Sequence, residues 1–221
     1  MKKILTLSFF IGLMSAVIAQ DKVTVGIRAG YNFYTIHGRY ANGDNFWLKT
    51  EDGTHVGADV EIPIGKNLYL QPGILYNQKG ANFDDYFMVW KEYHGDVKLS
   101  YLEFPLNFVL KPPVGNGHII LGAGGYIGKG IGREAGVDEG MVAVKFKRDV
   151  DSADLKRTPF IYRPWDAGAN FMAGYQFANN LFLQANGQVG LKRINPPIEG
   201  FWDGKTKHRT IGVSMSIGYR F

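Results

Sequence analysis

The sequence predicts an all-β fold, an eight-stranded antiparallel up-and-down transmembrane β-barrel preceded by a cleaved signal peptide. Three observations predict it. Composition favours strands and tight turns over helices, with 29 Gly, 12 Tyr and 15 Phe in 221 residues. Eight segments alternate apolar and polar residues with period two, and the apolar face of each carries no charge. The connections between them alternate short and long, the pattern of a meander whose two ends face different spaces.

Residues 1–19 read as a signal peptide: Lys2 and Lys3, an apolar stretch from Ile4 to Ile18, and Val17-Ile18-Ala19 before Gln20. That stretch is shorter than the roughly 20 residues a spanning helix needs. Residues 20–221 are then expected to form one barrel domain. Absence of Cys excludes disulfides, thiolate metal sites and Cys nucleophiles. The formal net charge is +5, and without the two leader lysines it is +3, too weak to argue for nucleic acid.

The first strand alternates Val23, Val25, Ile27, Ala29, Tyr31 and Phe33 against Thr24, Gly26, Arg28, Gly30 and Asn32. Six more are expected at Val56 to Ile62, Leu68 to Asn77, Leu99 to Leu110, Ile119 to Gly128, Ala167 to Phe177 and Leu181 to Leu191. The last sets Ile211, Val213, Met215, Ile217, Tyr219 and Phe221 against Thr210, Gly212, Ser214, Ser216, Gly218 and Arg220. Pro72 and Pro105 fall inside strands, and each removes a ladder donor, so a bulge or local break is expected at both. Short turns are expected at Gly65 to Asn67, Lys111 to Gly117 and Ala178 to Asn180, with both termini on that side, the periplasmic one in an outer-membrane barrel.

The charge-free face suits lipid, since Arg or Lys at mid-bilayer costs roughly 2–4 kcal/mol. The opposite face carries the charges Arg28, Asp59, Glu61, Glu103 and Arg220. Eight strands enclose a space only wide enough for side chains, so these five are expected to neutralise one another as a lumen charge network. A secreted lipocalin-like carrier would need the reverse, an apolar lumen.

The segment from Lys79 to Val97 carries Phe83, Tyr86, Phe87, Trp90 and Tyr93, which are either a partner surface on a loop or part of strands that extend beyond the membrane, with the aromatics packed on one another or in the upper girdle. Met141 to Phe146, in the longest connection, is either a strand extension or disordered. The glycine-rich Gly122 to Gly128 lacks the helix that a dinucleotide site requires. His37, His55, His94, His118 and His208 are scattered, and neither Ser100 nor Ser152 has a His at a telling spacing. No catalytic, cofactor or metal site is expected.

The sequence resembles the PorT-like family of small outer-membrane barrels. The likeness lies in Val25 to Asn32, in Leu70-Gln71-Pro72-Gly73-Ile74-Leu75-Tyr76-Asn77-Gln78-Lys79-Gly80, and in Tyr101-Leu102-Glu103-Phe104-Pro105-Leu106. The terminal Phe221 with Tyr219 resembles the signal read by the barrel-insertion machinery. The resemblance implies the fold and an outer-membrane location, and some relatives are linked to protein secretion across that membrane. The role expected here is non-enzymatic, with lipid contact, in surface interaction, envelope integrity or secretion support. The competing reading is an outer-membrane enzyme acting on lipid or peptide.

Overall fold

The computed structural model describes residues 23–39, 43–88, 91–137, 140–148, 150, 154, 160–196 and 207–221, and their side chains except at 83–88, 91–94, 133–137 and 142–143. The expected signal peptide lies outside the described residues. In chain order the strands are β1 (Thr24–Arg39), β2 (Asn45–Trp47), β3 (Glu51–Gly65), β4 (Leu68–Met88), β5 (Lys91–Leu110) and β6 (Pro113–Val114). They continue with β7 (Gly117–Val137), β8 (Gly140–Phe146), β9 (Ile161–Tyr162), β10 (Trp165–Gln176), β11 (Leu181–Gly190) and β12 (Lys207–Arg220).

Eight of these close a ring. The antiparallel order runs β1, β3, β4, β5, β7, β10, β11, β12, and β12 returns to β1 with Gly26 opposite Arg220 and Arg39 opposite Lys207. Closure leaves none of these eight strands as a free sheet edge, which is what a lipid environment demands. The short turns use left-handed residues at Asn67 (φ 59°), Gly115 (φ 60°) and Asn180 (φ 66°), and Asn and Gly adopt that conformation at least cost.

Alternation holds around the whole ring. Outward positions include Ile27 (49% exposed), Val56, Ile74, Phe108, Leu121, Phe171, Leu183 and Met215 (69%). Between Ile211 and Phe221 the outward residues are all apolar over eleven positions. At about 3.3 Å per residue and a tilt near 40°, that is a band of roughly 28 Å, the thickness of a bilayer core. Among the described residues no helix is long and apolar enough to cross a membrane; the crossing elements are strands.

The prolines break the ladder without shifting it. Between β3 and β4 the pairing skips from Asp59–Gly73 to Ile62–Leu70, opposite Pro72, and between β4 and β5 it skips from Pro72–Leu106 to Leu75–Glu103, next to Pro105. The register is the same on both sides of each gap, so these are breaks and not bulges. The pairing of β5 with β7 runs straight through Pro105 opposite Tyr126.

In the segment from Lys79 to Val97 the described residues continue β4 to Met88 and begin β5 at Lys91, with Tyr86 opposite Tyr93, which is the strand extension and not the loop. The side chains of Phe83, Tyr86, Phe87 and Tyr93, and the whole of Trp90, lie outside the described residues. Met141 to Phe146 forms most of β8, which pairs with β7 and, in parallel, with β9. Around this pairing Val144, Phe160, Tyr162 and Ile194 join Ile36, Val97, Leu99 and Tyr101 in a buried apolar cluster. Backbone bonds from Arg163 N to Ile194 O (2.7 Å) and from Ile194 N to His208 O (2.9 Å) tie the incoming segments to the barrel wall. The loop end of the lumen is therefore capped by apolar side chains.

Candidate functional site

Beneath that cap lies the first polar layer, centred on Lys79. Its position continues the inward parity of Gln71, Leu75 and Asn77 along β4, so the side chain points into the lumen. Lys79 Nζ lies 2.7 Å from Glu103 Oε1 and 3.0 Å from Asp166 Oδ2, and these side chains are almost wholly shut off from solvent. Three rings surround the ammonium: Tyr126 with its centroid at 4.1 Å, Tyr34 at 5.4 Å and Tyr101 at 5.5 Å. Asp166 Oδ2 also accepts from Tyr126 Oη (2.9 Å) and Thr210 Oγ1 (3.2 Å). Buried charges persist when they are paired, and Asp166 Oδ2 is held by one cation and two hydroxyls.

A second layer closes the turn end. Arg220 Nη2 pairs with Asp59 Oδ1 (2.7 Å) and Glu61 Oε1 (3.2 Å), and Lys111 Nζ pairs with Glu61 Oε2 (2.7 Å) and donates to Gln176 Oε1 (2.5 Å). Gln71 Nε2 donates to Asp59 Oδ1 at 3.1 Å. Phe182 and Tyr69 lie under the two cations.

Between the layers the lumen is filled by amides. Gln188 receives a hydrogen bond from Tyr34 Oη (2.9 Å) and donates to Glu103 Oε2 (3.1 Å) and Asn170 Oδ1 (3.0 Å). They line a cavity of about 30 Å³, room for a water molecule or two. Arg28 borders it, and its Nη1 has no hydrogen-bond partner among the described residues.

The five lumen charges expected from sequence thus lie on one inner face; Asp59, Glu61, Arg220 and Glu103 are linked by hydrogen bonds through Gln71, Asn107, Asn170 and Gln188, though not in a single ion-pair set. Asp59, Glu61 and Arg220 meet at the turn end, Glu103 belongs to the Lys79 layer, and Arg28 stands beside the cavity with no ion pair among the described residues. Lys79, Lys111 and Asp166 were missed because each lies just past a strand end drawn at the first charge. Their parity was the available signal: odd positions from Gln71 to Lys79 and from Glu103 to Lys111 all face inward.

One arrangement in the lumen has the order of a hydrolytic triad. His55 Nε2 lies 2.8 Å from Ser216 Oγ, and His55 Nδ1 lies 2.6 Å from Asn32 Oδ1, with Asn32 Nδ2 donating to Asn77 Oδ1 at 2.8 Å. All three are buried. No backbone N–H pair is left free beside Ser216 for an oxyanion, since its strand is paired on both sides with β1 and β11. Ser100 Oγ lies 2.9 Å from Tyr76 Oη on the outward side, and Ser152 and His94 fall outside the described side chains. Among the described residues no group of three His, Cys, Asp or Glu could hold a metal ion.

A family model described as an outer membrane protein beta-barrel domain matches residues 18–195. The chain belongs to this family. Its apolar band is accordingly the surface that meets outer-membrane lipid, and the polar lumen leaves no basis for a soluble carrier of apolar ligands. Similar solved structures include Ail, the attachment invasion locus protein of Yersinia pestis, at 12% identity over 91% of this chain and 100% of that one (TM-score 0.42). Neisserial surface protein A is similar at 10% identity over 91% and 100% (TM-score 0.48). The N-terminal barrel of Pseudomonas aeruginosa OprF is similar at 12% over 90% and 97% (TM-score 0.39). No curated protein matches the sequence.

Proposed function

We propose that the chain is a non-enzymatic, non-conducting outer-membrane barrel of the PorT-like kind that works through its extracellular end, in surface interaction, envelope integrity or secretion support. One observation carries the reading: the lumen is crossed by two interlocked ion-pair layers, Lys79–Glu103–Asp166 and Arg220–Asp59–Glu61–Lys111, beneath an apolar cap. A solute path would have to leave several buried charges unpaired at once, at roughly 3–5 kcal/mol for each pair broken. The termini lie in the periplasm after removal of residues 1–19, the insertion machinery reads the strand ending at Phe221, and the loops face outward. The aromatics Phe83, Tyr86, Phe87, Trp90 and Tyr93, in the sequence from the end of β4 to the start of β5, would supply the protein-binding surface.

The test is complementation of a deletion strain. A variant in which residues 83–94 are replaced by a tight turn keeps the whole membrane band, and the expected result is normal insertion with loss of rescue. Full rescue by the trimmed barrel would place the function elsewhere.

Ser216, His55 and Asn32 favour a second reading, an outer-membrane hydrolase in which Ser216 is the nucleophile and His55 its base. The nearby cavity of about 30 Å³ cannot admit an ester or peptide. The trio serves on this account as lumen packing, and an active-site-directed fluorophosphonate decides between the two.

A further inference from the structure

At the loop end of the charge-free band, β2, β1 and β12 lie side by side. The register sets Trp47, His37 and Arg209 in one cross-strand row and Asn45, Arg39 and Lys207 in the next. These odd positions of β1 and β12 continue the parity that points outward lower in the wall, through Phe33, Thr35, Ile211 and Val213. Neither row contains a carboxylate. At about 3.3 Å per residue the two rows stand roughly 7 and 13 Å along the strand beyond Thr35 and Ile211, the depth of the headgroups.

Two independent details mark the patch as a site. His37 Nε2 and Arg209 Nε have no hydrogen-bond partner among the described residues, which leaves both open to a group from outside the chain. Trp47 is 64% exposed and stacks on His37 at 4.8 Å and 21°, an amphipathic ring held flat at the membrane surface. Arg39 donates Nε to Gly43 O at 2.7 Å, which orients its fork.

We propose that this patch binds the phosphate groups of glycolipid headgroups in the outer leaflet, an inference that rests on the orientation given above, with the loops outside. Guanidinium forks match phosphate oxygens bidentately, and Lys207 adds a mobile positive charge. The headgroup plane supplies such anions at this height, whereas a protein ligand would have to reach down among the lipids. Each basic residue near an anionic membrane surface contributes about fivefold in affinity.

The test uses the refolded chain in detergent micelles, titrated by native mass spectrometry with bis-phosphorylated lipid A and with the same lipid stripped of its phosphates. The expected result is preference for the phosphorylated form, and about a 30-fold loss of that preference in the double variant Lys207→Gln/Arg209→Gln. The variant should keep its heat-dependent gel shift; Arg209→Lys should fall between if the fork matters. Equal binding of the two lipids, or wild-type selectivity in a folded double variant, would overturn the site. Orientation is read separately: the chain has no cysteine, so Thr50→Cys is labelled on intact cells by an impermeant maleimide. Labelling supports the outer-leaflet assignment. Without it the orientation fails, even where phosphate selectivity in micelles survives.

Discussion

Lys79 and Glu103, on adjacent strands β4 and β5, meet at 2.7 Å with both side chains closed off from solvent, and Asp166 completes the set from β10 at 3.0 Å. The three residues join three strands at one level and help make the barrel a filled container. Removing either partner has unequal consequences. Lys79→Leu strands two carboxylates, whereas Glu103→Gln leaves Lys79 with Asp166. Lys79→Leu is expected to cost about 3–5 kcal/mol and Glu103→Gln clearly less, read as the shift of the urea midpoint of the refolded barrel.

A charge on the lipid face should cost nearly as much. Met215 lies at mid-band, 69% exposed. Met215→Arg is expected to lose roughly 2–4 kcal/mol in lipid vesicles. An effect below about 0.5 kcal/mol would mean that this face does not meet lipid.

Glycines differ sharply in what they tolerate. A Cβ at Gly30 would lie 1.9 Å from Met215 O and 2.5 Å from His55 Cε1, while one at Gly187 meets nothing within 4 Å. Gly30→Ala should therefore reduce folded yield severely, and Gly187→Ala should fold like the parent chain, as judged by boiled and unboiled gel migration.

Ser216 should stay unlabelled by a fluorophosphonate in the folded barrel, because the two ion-pair layers and the apolar cap shut it in. Labelling that disappears in His55→Ala would establish the hydrolase reading instead.

Much of this fold was legible in the sequence because alternation reports directly which way a side chain points. Ile211 to Phe221 could be read as a lipid-facing row without any knowledge of its neighbours, and the even positions from Arg28 to Asn32 as inward. Strand ends were harder. The polar run Asn77 to Lys79 looks like a loop in one dimension, yet the lumen, unlike lipid, accepts charge, so β4 continues through Lys79 to Met88. Pairing was not legible at all. Which cation meets which carboxylate depends on the register of separate strands, and Asp166 reaches Lys79 across 87 positions of sequence. The prolines were awkward for the same reason: their breaks lie between strands, where a single strand gives no signal.

Conductance across a planar bilayer tests the filled lumen most directly. The refolded wild-type chain is expected to insert without discrete current steps at moderate voltage, and Lys79→Leu, if it inserts, to show brief openings. Stable ohmic steps from the wild-type chain would contradict the sealed lumen and make the barrel a pore.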